Sequence, residues 1–553
     1  MPLPGGHLAR VLLLLLLCLG TFLPGIASLP PTDRDESRFA QATRQMVETG
    51  DYVDIRFQDV PRYKKPVGIY WLQAAAVAVT GEGAASPIWV YRLPSMIASM
   101  LAVLLLYGLA RRFAGEDVAF AAAALLAAAL VLNIEARLAK TDATLLLTVV
   151  GALGCFGLIY QRVTQGLRTA PWPALAGWAF LGLGVLIKGP IAPLVAGLAV
   201  LTLALADRRS GRVGTFLRAL RPLSGLLVLA VITAPWLIAI SLKTDGAFLS
   251  NSVGGDLVPK LLGGEESHGA PPGYYFVTMA AMLWPGGVLF GLSLPWAWAN
   301  RHRPWVRFAL AWGVPGFILF ELVPTKLPHY TMPYFPAFLL LGAGAALEAF
   351  KPVTRLGRHW RRFVLAVFAA VGVALGLGLA GLEWYFTGGA GTAGLAAVVV
   401  ALLTVTASLV LISRAAVGRA IAVMVIGAGA LYAAAFTTIL PGATVLWPAP
   451  AIAAELDRLG LTDAPLLVSS GYSEPSLVFL TRTDIRLLSP AEAAAAFAAA
   501  PGAVALVEAG SRPGFDAALG GLAVQELAHV RGVNVSRGKP IDIAILRRGP
   551  VAP

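Results

Sequence analysis

Cysteine is nearly absent: the 553 residues contain two, Cys18 and Cys155, and both fall inside apolar runs. Free cysteine in such surroundings behaves as a small hydrophobe, and the pair offers neither a disulfide framework nor a CxxC metal site. Charge is scarce too, at 13% of residues, which excludes a soluble globule with an ordinary solvated surface. No glycine-rich nucleotide-binding loop is evident, and no internal repeat stands out. What remains is hydrophobic: 57% of residues and a mean hydropathy of +0.74 describe a polytopic helical membrane protein with chain to spare for one extra domain.

A spanning helix needs roughly 20 apolar residues. Such segments lie near 8 to 29, 87 to 110, 117 to 133, 140 to 160, 171 to 187, 190 to 206 and 223 to 242, and six more near 274 to 299, 305 to 323, 329 to 349, 361 to 383, 391 to 413 and 418 to 440. Together they predict about thirteen transmembrane helices. Only Lys188, Gly189 and Pro190 separate the pair between 171 and 206, and one long helix there would move every later loop to the other side. With the N-terminus inside, the inner loops hold Arg111, Arg112, Arg162, Arg168, Arg208, Arg209, Arg212, Arg218, Arg221, Arg301, Arg303 and Arg307, and later Lys351, Arg355, Arg358, Arg361, Arg362, Arg414 and Arg419. Against them stand Glu116, Asp117, Asp207 and Glu348. The net charge of +13 is therefore read as cytoplasmic anchoring rather than as a nucleic-acid surface. The Leu12 to Leu17 run also has the look of a signal-peptide core, with Ala27 and Ser28 as small residues near a cleavage position, but the acidic loop after it favours retention as an anchor.

Residues 1–441 are expected to form the transmembrane catalytic domain, with a first outward loop at about 31–86. Beyond 442, short apolar runs at 466–469, 476–480, 485–488, 503–507 and 541–546 alternate with helix-like stretches at 451–459 and 491–500. This predicts a small α/β domain over 442–553, outside the cytoplasm if there are thirteen spans.

The outward loops carry the chemistry, because orientation rules do not explain their ionisable groups. Directly after the first span comes Asp33-Arg34-Asp35-Glu36-Ser37-Arg38-Phe39. Asp35 and Arg38 share a face of a short helix, where a carboxylate suits an acceptor hydroxyl and a guanidinium fork suits phosphate. The bland alternative is a self-paired surface helix. Tyr63-Lys64-Lys65-Pro66 sets two ammonium groups at the membrane edge, suited either to a lipid phosphate or to ordinary headgroup attraction. Glu135, Arg137, Lys140 and Asp142 gather within eight residues, where Asp142 either faces a cavity or caps a helix. Lys188 with Gly189-Pro190 breaks a hydrophobic run at membrane depth, which snorkelling alone does not explain. Another loop holds Lys260, Glu265, Glu266 and His268 before Pro271-Pro272-Gly273-Tyr274-Tyr275-Phe276; one histidine beside acids is a weak metal signal. The last, Pro324-Thr325-Lys326-Leu327-Pro328-His329-Tyr330, shapes an irregular helix entry from which Lys326 and Tyr330 can face a cavity.

In order along the chain, Asp35-Glu36-Ser37-Arg38-Phe39-Ala40, Lys65-Pro66, Thr141-Asp142, Lys188-Gly189-Pro190, Pro235-Trp236, His268 with Tyr274-Tyr275, and Lys326-Leu327-Pro328-His329-Tyr330 resemble the bacterial polyprenyl-phosphate-sugar transferases of the GT-C superfamily. The likeness is strongest to the lipid A aminoarabinose transferases and extends to protein O-mannosyltransferases. The resemblance implies a GT-C fold in a bacterial inner membrane. It also implies a periplasmic active site and inverting transfer from an undecaprenyl-phosphate sugar to lipid A or another envelope glycan or protein acceptor. By the same resemblance Asp35 and Asp142 are catalytic, Arg38, Lys64, Lys65 and Lys188 bind the donor phosphate, and Glu36, Tyr63, His268, Tyr274, Tyr275, Lys326 and Tyr330 line the substrate cavity. Where an acid usually precedes the phosphate-side lysine this chain has Lys64, which weakens the case for a divalent cation; no other cofactor is implied. A flippase for the same lipid-linked sugar would show repeats and midplane sites, and an assembly factor would leave the ordered motifs without a purpose.

Overall fold

In a computed structural model of the chain, the structure describes residues 6–257, 269–348, 355–389 and 391–548. Among these, nine helices are long and apolar enough to cross a membrane: Ile88–Ala110, Asp142–Thr164, Pro171–Lys188, Val213–Lys243, Pro304–Leu322, Pro328–Leu347, Gly357–Thr387, Thr392–Ser413 and Val417–Gly442. Four shorter apolar helices accompany them, His7–Phe22, Gly68–Thr80, Ile191–Ala206 and Gly287–Ala299. Helices dominate because each satisfies its own backbone where lipid offers no hydrogen bonds.

Three interruptions matter for the site. The run near 171–206 divides as the Gly-Pro pair predicts: Gly189, at φ 62, ends the Pro171–Lys188 helix and Ile191–Ala206 begins after Pro190. The segment near 117–133 is not one continuous helix. It breaks at Ala129 into Glu116–Ala128 and Leu130–Glu135, and the Asn133 amide donates to the Ala127 and Ala129 carbonyls at the break, at 2.8 and 3.0 Å. The segment near 274–299 likewise divides into Tyr274–Met282 and Gly287–Ala299.

The loop after the first helix is itself folded. Helix Asp35–Thr49 opens with two acids, favourable at a helix N-terminus, and closes on Gly50 at φ 70, whose N–H donates to Met46. Strands β1 (Arg56–Phe57) and β2 (Val60–Pro61) pair antiparallel, and helix Gly68–Thr80 follows.

Toward the C-terminus, β3 (Leu467–Ser470), β4 (Arg486–Leu487), β5 (Val504–Glu508), β6 (Val524–Asn534) and β7 (Lys539–Arg548) form a sheet of order β4-β3-β5-β7-β6. β3 runs parallel to β4 and β5, while β7 is antiparallel to β5 and β6. Alternate residues of β5 and β7 serve opposite faces: Val504, Leu506, Ile543 and Ile545 join one apolar cluster, and Ala505, Val507, Ala544 and Leu546 join another. This sheet unit is docked on the Asp35–Thr49 helix. Gln41 donates to Thr483 and Arg44 to the Phe479 carbonyl, both at 2.9 Å, while the Phe479 ring meets Tyr91 edge-on at 5.4 Å.

Candidate active site

The site is assembled around a buried ion pair. Arg92, fully buried in the Ile88–Ala110 helix, grips both oxygens of Glu36 at 2.7 and 3.0 Å and donates to the carbonyls of Ile26, Leu29 and Pro30. Glu36 also accepts from the Thr32 N–H and hydroxyl and from the Ala139 N–H at 3.0 Å. Burial alone would raise the Glu36 carboxyl, but the Arg92 charge overrides it and holds the group below the usual carboxylate range. One side chain thereby ties the first outer helix to the segment leading into Asp142. Arg34, at φ 65, turns the chain into that helix and leaves Asp35 half in solvent, 59% exposed at the side chain.

Facing Asp35 is a polar cavity of about 100 Å3 lined by Arg34, Asp35, Arg38, Phe39, Arg62, Lys64, Lys65, Lys140, Thr141, Asp142, Lys188, Thr325, Leu327, His329 and Tyr330. Arg62 stands 3.8 Å from Asp35 and stacks on Phe39 at 4.9 Å. Behind lies a charge-balanced network: Lys188 donates to Asp142 at 2.6 Å, Lys140 pairs with Glu135 at 2.9 Å, and His329 sits 3.6 Å from each carboxylate. Burial, helped by the nearby Asp142 charge, pushes the Glu135 carboxyl up, against the pull of Lys140.

The polar cavity meets an apolar one of about 400 Å3 walled by Pro66, Leu145, Ile191, Leu194, Leu319, Phe320, Val323, Met332 and Pro333. Lys64, Lys65, Lys188, Asp142, Thr325, His329 and Tyr330 line both, whereas Arg34, Arg38 and Arg62 line only the polar side. The Lys188 ammonium lies 5.2 Å from the Tyr330 ring, a cation–π contact at that junction. An apolar slot that ends in three ammonium groups fits a molecule with a long hydrocarbon tail and an anionic head.

Glu135, Asp142 and His329 present ligand atoms within 4.8 Å of one another, the geometry a metal ion could use. Both carboxylates already hold lysine ammonium groups at 2.9 and 2.6 Å, so a cation would have to displace them.

Asp35, Asp142, Arg38, Lys64, Lys65, Lys188 and Tyr330 therefore come together. Five residues expected in the substrate cavity do not. Glu36 is 1% exposed and spent on Arg92. The Tyr63 hydroxyl donates to Asp54 at 3.1 Å and its ring packs on Phe248. Tyr275 is buried between Tyr274 and Phe317, with the pair set by Glu321, which accepts from the N–H groups of Gly273 and Phe276. Lys326 is buried, donating to the Val323 carbonyl near the Tyr275 ring. His268 lies outside the described residues, as do Lys260, Glu265 and Glu266.

Arg62, His329 and Arg92 carry no role in the motifs read from the sequence. For Arg92 a signal existed, since an arginine inside a predicted span is a site marker by default. Arg62 adjoined the Tyr63-Lys64-Lys65 motif.

The model of the dolichyl-phosphate-mannose-protein mannosyltransferase family matches residues 64–238. An undecaprenyl phosphate-alpha-4-amino-4-deoxy-L-arabinose arabinosyl transferase of Pseudomonas paraeruginosa is 32% identical over 319 residues, 56% of this chain and 54% of that protein. A namesake from an Enterobacter species is 27% identical over 344 residues, 62% and 60% of the two chains. The chain thus spans about half the length of the curated relatives it matches. The crystal structure of ArnT from Cupriavidus metallidurans bound to undecaprenyl phosphate superposes with a TM-score of 0.77 at 20% identity, covering 98% of both chains. The chain has the ArnT fold. The chain is thus similar to ArnT in fold and to the arabinosyl transferases in part of its sequence, and its apolar helices are those of a polytopic membrane protein. A more distant match, the archaeal oligosaccharyltransferase AglB of Archaeoglobus fulgidus, reaches 0.51 at 15% identity over 91% of this chain and 69% of that one. The ArnT-like match runs through the C-terminal sheet as well as the helices, while the family model covers Lys64, Lys65, Asp142 and Lys188.

Proposed function

We propose that this protein is an inverting glycosyltransferase that moves a sugar from an undecaprenyl-phosphate donor to a lipid A-type or other envelope acceptor, with 4-amino-4-deoxy-L-arabinose as the favoured sugar. In this reading the chain makes thirteen crossings of a bacterial inner membrane, and both the site and the C-terminal α/β unit face the periplasm. The observation that carries it is the junction of the two cavities. Lys64, Lys65 and Lys188 stand where an apolar slot opens onto Asp35, and relatives of this chain are named for an undecaprenyl phosphate substrate.

The donor tail occupies the apolar slot and its phosphate meets the three ammonium groups. The acceptor oxygen attacks the anomeric carbon, the bond from that carbon to the phosphate oxygen breaks, and the phosphate keeps the electron pair. Cations placed where that charge develops stabilise the transition state. Asp35 takes the proton of an acceptor hydroxyl; for an ionised phosphate acceptor it orients the nucleophile instead. Arg38, expected at the donor phosphate, lines only the polar side together with Arg34 and Arg62, and in this reading the three supply charge for an anionic acceptor instead. Lysines balance the Asp142 and Glu135 carboxylates, and the proposed chemistry runs through these cationic side chains.

The test is product formation by purified protein given undecaprenyl-phosphate aminoarabinose and lipid A in detergent, read by mass spectrometry. Wild type should add one aminoarabinose increment, and Asp35→Asn should fold normally while losing about 100-fold or more of the rate, the usual scale of general acid–base contributions. Donor movement between leaflets without a new glycosidic bond would replace this reading with transport, and near-normal turnover by the variant would remove Asp35 from its role.

A further inference from the structure

The β6–β7 hairpin of the C-terminal sheet turns over beside the polar cavity. Its strands pair to the end, Asn534 with Lys539, and residues 535–538 make the turn. Arg34, which lines that cavity next to Asp35, donates to the Ser536 carbonyl at 2.6 Å, so the turn stands one side chain away from the site. The turn is held firmly. Asn534, 3% exposed, donates to one Glu474 oxygen at 2.9 Å, and Ser536 donates to the other at 3.0 Å. The Arg537 N–H donates to the Asn534 side chain at 3.0 Å, and the N–H of Gly538, at φ 65, returns to the Asn534 carbonyl at 2.8 Å. Lower on the hairpin, a Cβ on Gly532 would come within 2.9 Å of the Val445 carbonyl oxygen, so the stem lies directly on the chain that follows the Val417–Gly442 helix.

Two cations stand at this turn, Arg537 and Lys539, both exposed. Arg458, Arg482, Arg512 and Arg531 of the same unit each pair with an acid, whereas Arg537 and Lys539 form no ion pair among the described residues. Lys539 leaves the sheet on the same side as Asn534, because paired residues share a face, and that is the side that meets Glu474. We propose that the turn binds a second anionic group of the acceptor head, apart from the one at the reacting atom, through Arg537 and Lys539. This rests on the transferase reading above and narrows its acceptor. Arg38 and Arg62 line the cavity around Asp35, and the two turn cations do not, so they meet a part of the head that stays outside while the nucleophile sits at Asp35. A saccharide head with phosphate or carboxylate groups at both ends spans the two sets of cations, and a neutral or singly charged head leaves the turn unmatched. Exposed pairs of this kind are modest one by one and weaken with salt.

The experiment measures transfer to lipid A, a head with two phosphates, by purified protein in a neutral detergent at low and at high salt. It compares wild type, the neutralised Arg537→Gln/Lys539→Gln pair and the charge-keeping Arg537→Lys/Lys539→Arg pair, with thermal unfolding and undecaprenyl phosphate binding measured alongside. At low salt the neutralised pair should raise KM for lipid A about fivefold to tenfold, with kcat and undecaprenyl phosphate affinity within about twofold of wild type. High salt should shrink that difference, and the charge-keeping pair should follow wild type. A neutralised pair that unfolds at the wild-type temperature and keeps the wild-type KM overturns the proposal. An equal rise in KM for the charge-keeping pair overturns it too, since shape rather than charge would then matter. So does a matching loss of undecaprenyl phosphate affinity, which would move the cations to the donor. A difference that appears only when phosphatidylglycerol is added assigns them to membrane headgroups and likewise overturns it. If wild type forms no product at all, the transferase reading fails and takes this proposal with it.

Discussion

Arg92 and Glu36 illustrate how a buried charge can matter more for position than for net stability. The pair sits at 0% and 1% exposure, and every polar atom of the guanidinium has a protein acceptor. Taking one partner away strands the other in a medium where an uncompensated charge is worth about 3–5 kcal/mol of destabilisation. Arg92→Met is therefore expected to lower the unfolding temperature in detergent sharply. Pairing it with Glu36→Gln should recover part of the loss, because the double variant buries no orphan charge. The two single variants and the double, unfolded side by side, check this: a double variant that loses the full sum of its parts would mean that Glu36 acts through Thr32 and Ala139 rather than through Arg92. Asp35, the next residue, owes its place to this anchor although it makes none of these bonds itself.

At the scale of elements, the site depends on how closely the Gly68–Thr80 helix approaches the end of Pro171–Lys188. A Cβ on Gly68 would stand 2.7 Å from the Leu186 carbonyl oxygen and 2.9 Å from Ile187, so nothing larger than glycine fits without moving backbone. Lys65 lies three residues before that contact and Lys188 two residues after Leu186. Gly68→Ala should push the two lysine-bearing segments apart and weaken undecaprenyl phosphate binding about threefold to tenfold, with about 1–3 kcal/mol lost to overpacking; a titration of the variant with that lipid reads it directly. The break at Gly189-Pro190 was legible although one long helix stood as the alternative, because snorkelling explains a lysine at membrane depth but not the glycine and proline beside it. The sequence also announced Asp35 with Arg38, since i,i+3 spacing is local. It did not announce that Ala129 interrupts a uniformly apolar alanine-rich run, since such a run lacks breaker residues and the kink is stabilised by Asn133 reaching back to two carbonyls. Nor could spacing show that Tyr63, Tyr275 and Lys326 turn inward while Arg62 and His329 turn to the cavity. Tyr63, Tyr275 and Arg62 take their directions from packing against Phe248, Phe317 and Phe39, residues remote in sequence, while Lys326 turns back to the Val323 carbonyl.

Across the whole molecule, the C-terminal sheet and the first outer loop meet at a small polar junction. The Ser476 N–H donates to Asp33 at 3.3 Å, Asn534 and Ser536 donate to Glu474 at 2.9 and 3.0 Å, and Arg34 reaches the Ser536 carbonyl at 2.6 Å. Burial, with the nearby Glu474 charge adding to it and Ser476 and Arg38 opposing, pushes the Asp33 carboxyl up to about 6. An aspartate in an unfolded chain titrates near 4, so the folded state holds this proton more tightly than the unfolded one. The stabilisation is then fully present below about pH 4 and is lost as pH rises through about 6. Above that, wild type carries a partly buried carboxylate facing Glu474, and Asp33→Asn does not. The variant should match wild type in thermal unfolding near pH 4 and exceed it above pH 7 by about 1–2 kcal/mol, a figure reduced from the full shift because the group is not wholly buried. Unfolding curves that stay parallel across that range would mean that Asp33 titrates as in water and that the junction is held by Arg34 and Glu474 alone. A gap that opens between pH 4 and 7 would show the sheet unit bearing directly on the turn that presents Asp35.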